Sequence, residues 1–393
     1  MSAPVVLTVN AGSSSVKTAA YEIADGAPTN PPLLRAHLAS IGEDPQILLK
    51  EAAGSEEVVR APEATGDYDA AFRALLARLE RRLDGRAPAA IAHRVVHGGP
   101  HYAEPVRLDA EALRALEALS PLAPGHQPHN LHGVRAAEAW WPDAPHFACF
   151  DTAFHRTMPE AAQRFALPRA LHEEGIRRYG FHGLSYEHIA RVAPQVIGAL
   201  PHDRMIVAHL GSGASLCAVK SGLSVATTMG FTALDGLPMS TRCGDLDPGV
   251  VLHLLLEKSM SAADVAQLLN RKSGLLGVSG VSGDMRVLEE SDAPEADEAI
   301  ELFAYRCANS IGALTAALGG LDALVFTAGI GENSVRVRAE ILARCAWLGV
   351  RIDPAANARH RARIDDGEGP VSAWVIATDE EYELARVAAE RSA

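Results

Sequence analysis

Leu7-Thr8-Val9-Asn10-Ala11-Gly12-Ser13-Ser14-Ser15-Val16-Lys17 reads as an apolar strand, a turn of small polar residues and a second strand. About half the chain later the pattern returns: Met205 to Leu210 is an apolar strand, Gly211-Ser212-Gly213 a turn, and Ala214 to Lys220 another strand. This is a candidate internal repeat, two related domains whose turns offer backbone N–H groups to one anion in a cleft. Two unrelated hairpins would read the same way, because strand, turn and strand is a common sequence of elements.

Length supports two domains, since 393 residues exceed one ordinary domain of about 100 to 200. Apolar residues make up 48% and charged residues 22%, which excludes a disordered or fibrous chain. The 36 Lys and Arg against 49 Asp and Glu leave a net charge of −13, a poor match for nucleic acid or an anionic membrane. An anionic ligand therefore needs a few local cations. The five cysteines form no CxxC pair and suit a reducing cytoplasm. No signal peptide is legible, and the apolar stretch Ile311 to Ile330 is broken by Gly319, Gly320 and Asp322, so no membrane span is expected.

The first forty residues predict antiparallel strands at Val5 to Asn10, Val16 to Ile23 and Leu33 to Ile41. Three-and-four spacing predicts helices at Asp67 to Leu83, Asp109 to Leu119 and Leu131 to Trp141, with strands Ala90 to His97 and His146 to Asp151 among them. In the second half, helices are expected at Asp247 to Lys258, Ala262 to Asn270, Pro294 to Leu318 and Glu380 to Arg391, with strands at Leu324 to Thr327 and Val371 to Ala377.

Three glycine-rich turns follow predicted strands: Asn10 to Lys17, Leu210 to Gly213, and Ala328-Gly329-Ile330-Gly331-Glu332-Asn333. Small residues let several N–H groups approach one oxyanion. None of the three is a dinucleotide fingerprint or a P-loop. Of the 16 histidines, 13 lie between His93 and His209; they suit donation to anions near neutral pH better than zinc binding, because no Cys or carboxylate completes the set His126, His129 and His132. Arg94, Arg178, Arg242 and Arg286 sit in glycine-flanked segments where a guanidinium could grip carboxylate or phosphate. Asp151 ends an apolar strand, and Glu380 and Glu381 follow the last one, where a carboxylate could hold hydrated Mg²⁺.

Eight motifs in order make the chain resemble the acetate kinase (acetokinase) family: Asn10 to Lys17, His93 to Gly99, Phe150 to His155, Arg177 to Gly183, His209 to Ser215, Thr241 to Gly249, Phe326 to Asn333 and Thr378 to Glu381. The resemblance implies an α/β chain of duplicated actin-like (ribonuclease H-like) domains, one of residues 1–151 plus 383–393 on the acid-binding side and one of residues 152–382 on the nucleotide side. It implies reversible transfer of the γ-phosphoryl of ATP to a short-chain carboxylate, with Mg²⁺ (Mn²⁺ as a substitute), a homodimer and a cytoplasmic location.

Carried over by position, Arg94 holds the acid, Asp151 is the active-site acidic residue, and His182 and Arg242 stabilise the transferring phosphoryl. Asn10 and Glu380 take the metal positions. Ser13, Ser15, Lys17, His209, Leu210, Gly211, Ser212, Gly213, Asp284, Met285, Arg286, Gly329, Ile330, Gly331, Glu332 and Asn333 take those for ATP or ADP. Val96, Gly125, His126, Phe181 and Ala233 surround the acyl tail. The attacking carboxylate is already ionised, so no general base is required.

Three departures stand out: Ser212 where the family usually has Asn, Gly125 where it has Leu, and Ala233 where it has Pro. The last two remove volume from the acyl pocket and suggest that propionate or butyrate is accepted; Gln127 or a shifted loop could refill it. The alternatives are an actin-like kinase acting on a hydroxyl, which would need a positioned base, and a non-enzymatic nucleotide switch, which would need assembly insertions that the sequence lacks.

Overall fold

The computed structural model describes residues 3–41, 44–61 and 65–392. The chain forms two compact units, Met1–Ala153 with Asp379–Ala393, and Phe154–Thr378. Positions 1, 2, 42, 43, 62–64 and 393 of the ranges expected from sequence lie outside the described residues.

The first unit is built on a mixed sheet of β1 (Val5–Ala11), β2 (Val16–Ala24), β3 (Ala27–Pro28), β4 (Leu34–Ala39), β5 (Gln46–Glu51), β6 (Glu56–Arg60), β7 (Ala90–Val95), β8 (Val106–Arg107) and β9 (His146–Phe150). Their order is β6-β5-β4-β2-β1-β7-β9-β8, with β3 pairing β2. The second unit holds β10 (Arg204–Leu210), β11 (Ala214–Lys220), β12 (Leu223–Thr227), β13 (Ala323–Thr327) and β14 (Ser372–Val375), in the order β12-β11-β10-β13-β14.

Within both sheets the same five-strand pattern appears. β4-β2-β1-β7-β9 and β12-β11-β10-β13-β14 each run antiparallel, antiparallel, parallel, parallel. The duplicated hairpin is the second pair of each set, Ala11 opposite Val16 and Leu210 opposite Ala214. This is the pattern expected of the duplicated actin-like fold.

Burial follows position in the sheet. β1 is apolar and almost wholly buried because it is covered on both sides, whereas β4 alternates buried and half-buried. One cover of β1 is α1 (Tyr68–Arg82), capped by Asp67, and α3 (Gln127–Trp140), which follows α2 (Ala110–Ala118). Phe72, Leu75, Leu76 and Leu79 form a core with Val5, Leu7 and Val9. α3 approaches β1 so closely that a Cβ on Gly133 would lie 2.5 Å from the Ala11 Cβ. The other cover is the helix Glu380–Arg391, which packs on β1 and β7. That packing sets the return to the first unit at Asp379 rather than 383, because Asp379 caps this helix and pairs with Arg35. Glu380 therefore belongs to the first unit.

In the second unit the principal helices are α4 (Gly183–Ile197), α5 (Pro248–Leu256), α6 (Ala262–Arg271), α7 (Pro294–Leu318), α8 (Ala328–Asn333) and α9 (Val335–Arg344). Two differ from the sequence reading. α4 was not legible, and α8 is a helical turn where a glycine-rich loop was expected. Ala328 opens α8 at φ +65°, a strained conformation held by Glu332 Oε1, which accepts from the Ala328 N–H at 2.8 Å. No helix among the described residues is long and apolar enough to cross a membrane.

A buried histidine pair makes the first unit acid-sensitive. His146 Nε2 donates to the Trp141 carbonyl at 3.2 Å, so its Nδ1 accepts from His93 Nε2 at 2.9 Å. His93 Nδ1 is buried without a hydrogen-bond partner. Burial lowers the pKa of both rings, and it pushes His97 down to about 4. Below the ordinary histidine value of about 6.5 the unfolded chain therefore binds more protons than the folded one. Stability is full above that pH and falls as pH drops through it. Denaturation at several pH values should show an uptake of up to about three protons on unfolding between about pH 6.5 and 5; a stability independent of pH there would contradict it.

Candidate active site

Parallel strands β1, β7 and β9 bring their carboxyl ends to one edge of the first sheet, the usual place for ligand chemistry in an α/β protein. Asn10, Arg94 and Asp151 lie there, joined by Glu380 from the first turn of its helix. Arg94 Nε donates to Asp151 Oδ1 at 3.0 Å and Nη2 to Asp151 Oδ2 at 2.5 Å. Its Nη1 donates to Asn10 Oδ1 at 3.2 Å, and Glu380 Oε2 lies 4.0 Å from Nε. Three of the five guanidinium N–H groups are thus engaged. One remains on each Nη, a pair suited to one carboxylate.

Burial opposes the Arg94 charge, but Asp151 more than offsets it and the pKa rises. Burial raises the pKa of Glu380, against the pull of Arg94 and with a push from Asp151. Lys17, exposed on β2, is an electrostatic neighbour of Glu380 and Glu381. Ser13 and Ser15 lie in the β1–β2 turn, which Gly12 N closes on Ser15 O at 2.8 Å.

Sequence reasoning missed the residues that fix this edge. Asn130 on α3 accepts from Val96 N at 2.9 Å and donates to Ala11 O at 2.6 Å, tying β1 to β7. Gln127 is fully buried, accepts from His97 N and donates to the His97 and Leu116 carbonyls. It cannot at the same time fill space beside Gly125. Gly125 and His126 are exposed, and no atom lies within 4 Å of a Cβ built on Gly125. On α3, His132 pairs with Asp69 and His129 packs near Tyr68.

In the second unit, His182 caps the start of α4 at φ +59°. His155 sets this pose: its Nε2 donates to the Phe181 carbonyl at 2.9 Å, and its ring fills the place where a Gly180 side chain would stand, 2.5 Å from that Cβ. The His182 ring stacks on His209, centroids 4.1 Å apart. A Cβ on Gly213 would lie 3.2 Å from His182 Nε2 and 3.8 Å from Arg242 Nη1, so two donors border space that a glycine keeps open. The Ala233 carbonyl accepts from Arg242 Nη1 at 2.9 Å.

Beside this lies a cavity of about 810 Å³, lined in part by Gly211, Ser212, Asp284, Met285, Arg286, Gly329, Ile330 and Asn333. Its volume is in the range of nucleotide-sized ligands. Five residues of the second unit expected there do not line it, one being Gly213, which faces His182 and Arg242. Leu210 is wholly buried in the sheet, His209 lies under His182, Gly331 packs towards Phe326 and Ala208, and Glu332 turns back onto Ala328. Arg286 ion-pairs with Asp284 in its own turn at 2.7 Å, while Arg178 binds the Thr228 carbonyl and Asp235 as a structural clamp.

The sequence matches the Acetokinase family over residues 5–386. The chain belongs to the acetokinase family. An acetate kinase of Rhodopseudomonas palustris is 52% identical over 97% of each chain, and one of Methylocella silvestris is 48% identical over 97% of this chain and 96% of its own. Among acetokinase structures, a propionate kinase from Francisella tularensis superposes with a TM-score of 0.90 at 35% identity, covering 98% of each chain. Porphyromonas gingivalis acetate kinase gives 0.88 at 36% identity over 98% of this chain and 99% of its own.

Proposed function

We propose that this acetokinase moves the γ-phosphoryl of ATP reversibly to the carboxylate of a short-chain fatty acid, giving acyl phosphate and ADP, in the cytoplasm. The observation that carries the reading is the convergence of His182 Nε2 and Arg242 Nη1 on the space at Gly213. Phosphoryl transfer asks mainly for alignment and for positive charge on the equatorial oxygens, and two fixed donors supply both. The two N–H groups left on Arg94 hold the acid, and Asp151 orients that guanidinium instead of removing a proton, which an ionised acid does not carry.

Asn10, Asp151 and Glu380 offer the hard oxygen atoms that Mg²⁺ takes. Among the described residues no three His, Cys, Asp or Glu side chains cluster to hold an ion, and Mg²⁺ is commonly bound by one or two carboxylates together with substrate phosphates and water. When bound, Mg²⁺ neutralises phosphate charge. Steady-state turnover with ATP and each acid tests the reading: ATP consumption that is independent of any acid from acetate to butyrate would exclude it.

The open space at Gly125, with Gln127 committed elsewhere, favours a longer acyl tail. Each further buried methylene is worth about 0.8 kcal/mol, a factor of about four. Propionate should show kcat/KM at least equal to that of acetate. A clear acetate preference would contradict the wider pocket.

The protein also acts as a homodimer in this proposal, joined in part through α5. Its six aliphatic residues lie in Val250 to Leu256 and none is buried; Leu256 is 72% exposed and Leu252 55%. An apolar helix without a cover fits a second copy. Sedimentation of the native protein should give a dimer, and L252E with L256E a monomer; a native monomer would remove this surface from the account.

A further inference from the structure

Three histidine rings of the second unit each have Nδ1 on a serine hydroxyl: His155 on Ser224, His209 on Ser185 and His182 on Ser215. The His155 and His182 contacts both continue inward, Ser224 Oγ to the buried Cys217 Sγ at 3.3 Å and Ser215 Oγ to a phenol, but only the second starts from a ring that borders the Gly213 space. Ser215 Oγ lies 2.9 Å from His182 Nδ1 and 2.5 Å from the Tyr186 hydroxyl, and both Ser215 and Tyr186 are completely buried.

The direction of this chain follows from counting protons. A phenol has one proton to donate, and among the described residues Ser215 Oγ is the only hydrogen-bond partner of the Tyr186 hydroxyl. Burial raises the Tyr186 pKa well above its ordinary value, so the phenol keeps that proton. If Ser215 donated to Tyr186, the phenolic O–H would be buried and unsatisfied, at a cost of about 1 to 3 kcal/mol. Tyr186 therefore donates to Ser215, and Ser215 spends its own proton on His182 Nδ1. That nitrogen accepts, which leaves the ring proton of neutral His182 on Nε2.

We propose that Tyr186 and Ser215 are positioning residues that lock the His182 tautomer, so that Nε2, the nitrogen beside the Gly213 space, always presents an N–H to the transferring phosphoryl. Without the lock, the imidazole exchanges its proton between nitrogens, and in the wrong tautomer a lone pair meets the anionic oxygens. His155 and the αL backbone at His182 place the ring; Tyr186 and Ser215 decide which face of its chemistry is shown. The kinetic half of this inference rests on the phosphoryl-transfer reading, whereas the tautomer belongs to the resting protein and is read without substrate.

The test is long-range ¹H–¹⁵N correlation on the full chain with ¹⁵N-labelled histidine at about pH 8, where histidine is ordinarily neutral. The His182 signal is assigned by its absence in His182→Gln. The native protein should show Nε2 protonated and Nδ1 bare. Tyr186→Phe keeps the buried ring and removes the hydroxyl; it should mix the two tautomers and lower kcat about five- to tenfold, with KM for ATP and acid changed less than about twofold. A native His182 that carries its proton on Nδ1, or on both nitrogens, overturns the relay whether or not the variant folds. So does a folded Tyr186→Phe with either an unchanged tautomer or an unchanged kcat. Absence of any acyl kinase activity alongside an Nε2–H tautomer would instead refute the phosphoryl-transfer reading and leave the lock in place.

Discussion

Arg242→Ala lowers kcat by about 10² to 10³ and leaves the protein folded. The size follows from the work assigned to the guanidinium. The transferring group spreads its charge over three equatorial oxygens, and Arg242 Nη1 lies 3.8 Å from where a Gly213 Cβ would stand, the space proposed to receive that charge. The side chain is already held by the Ala233 carbonyl at 2.9 Å, so little reorganisation is needed at the moment of transfer. The fold is spared because the surrounding loop is tied by its backbone: Met239 N donates to Arg242 O, and Ser273 N to Thr241 O. Arg242→Lys keeps the charge and loses the planar fork, and should recover only part of the rate. Steady-state kinetics with a circular dichroism control checks the pair; near-normal turnover in Arg242→Ala would remove this residue from the mechanism.

Arg94→Ala has a different signature, because it damages stability and acid binding together. Asp151 is 1% exposed and depends on Arg94 for two charge-assisted hydrogen bonds. Removing one partner of a buried pair leaves an uncompensated charge, which costs about 3 to 5 kcal/mol, with the lower figure apt here because Arg94 itself is partly exposed. The acid loses its anchor, so its KM rises sharply while KM for ATP stays nearly unchanged. Adding Asp151→Asn to Arg94→Ala should restore much of the urea midpoint and none of the acid affinity. If the double variant recovered both, Arg94 would be a structural arginine only.

What the sequence disclosed and what it hid divide along chain distance. The repeated hairpin was legible because Asn10 and Lys17, or Leu210 and Ala214, are close in sequence and their apolar runs are uninterrupted. β6, Glu56-Glu57-Val58-Val59-Arg60, was not, since an edge strand exposed on both faces reads as a charged loop. α4 starts at a left-handed His182 and contains Pro194, both of which break a helical pattern on paper. The Tyr186 to Ser215 to His182 relay spans strands and helix, and no local spacing predicts it. Arg94 and Asp151 were each singled out, but that they bind each other 57 positions apart needed the parallel pairing of β7 with β9. The return to the first unit at Asp379 depended likewise on a cap and an ion pair with Arg35.

The most direct measurement incubates the protein with ATP, Mg²⁺ and acetate or propionate in the presence of hydroxylamine, which traps an acyl phosphate as its hydroxamate. Hydroxamate should accumulate in step with ADP, require the acid, and fall by the same factor as kcat in Arg242→Ala. ADP release without hydroxamate from acetate, propionate or butyrate would show that the phosphoryl group does not go to a carboxylate, and would contradict the account at its centre.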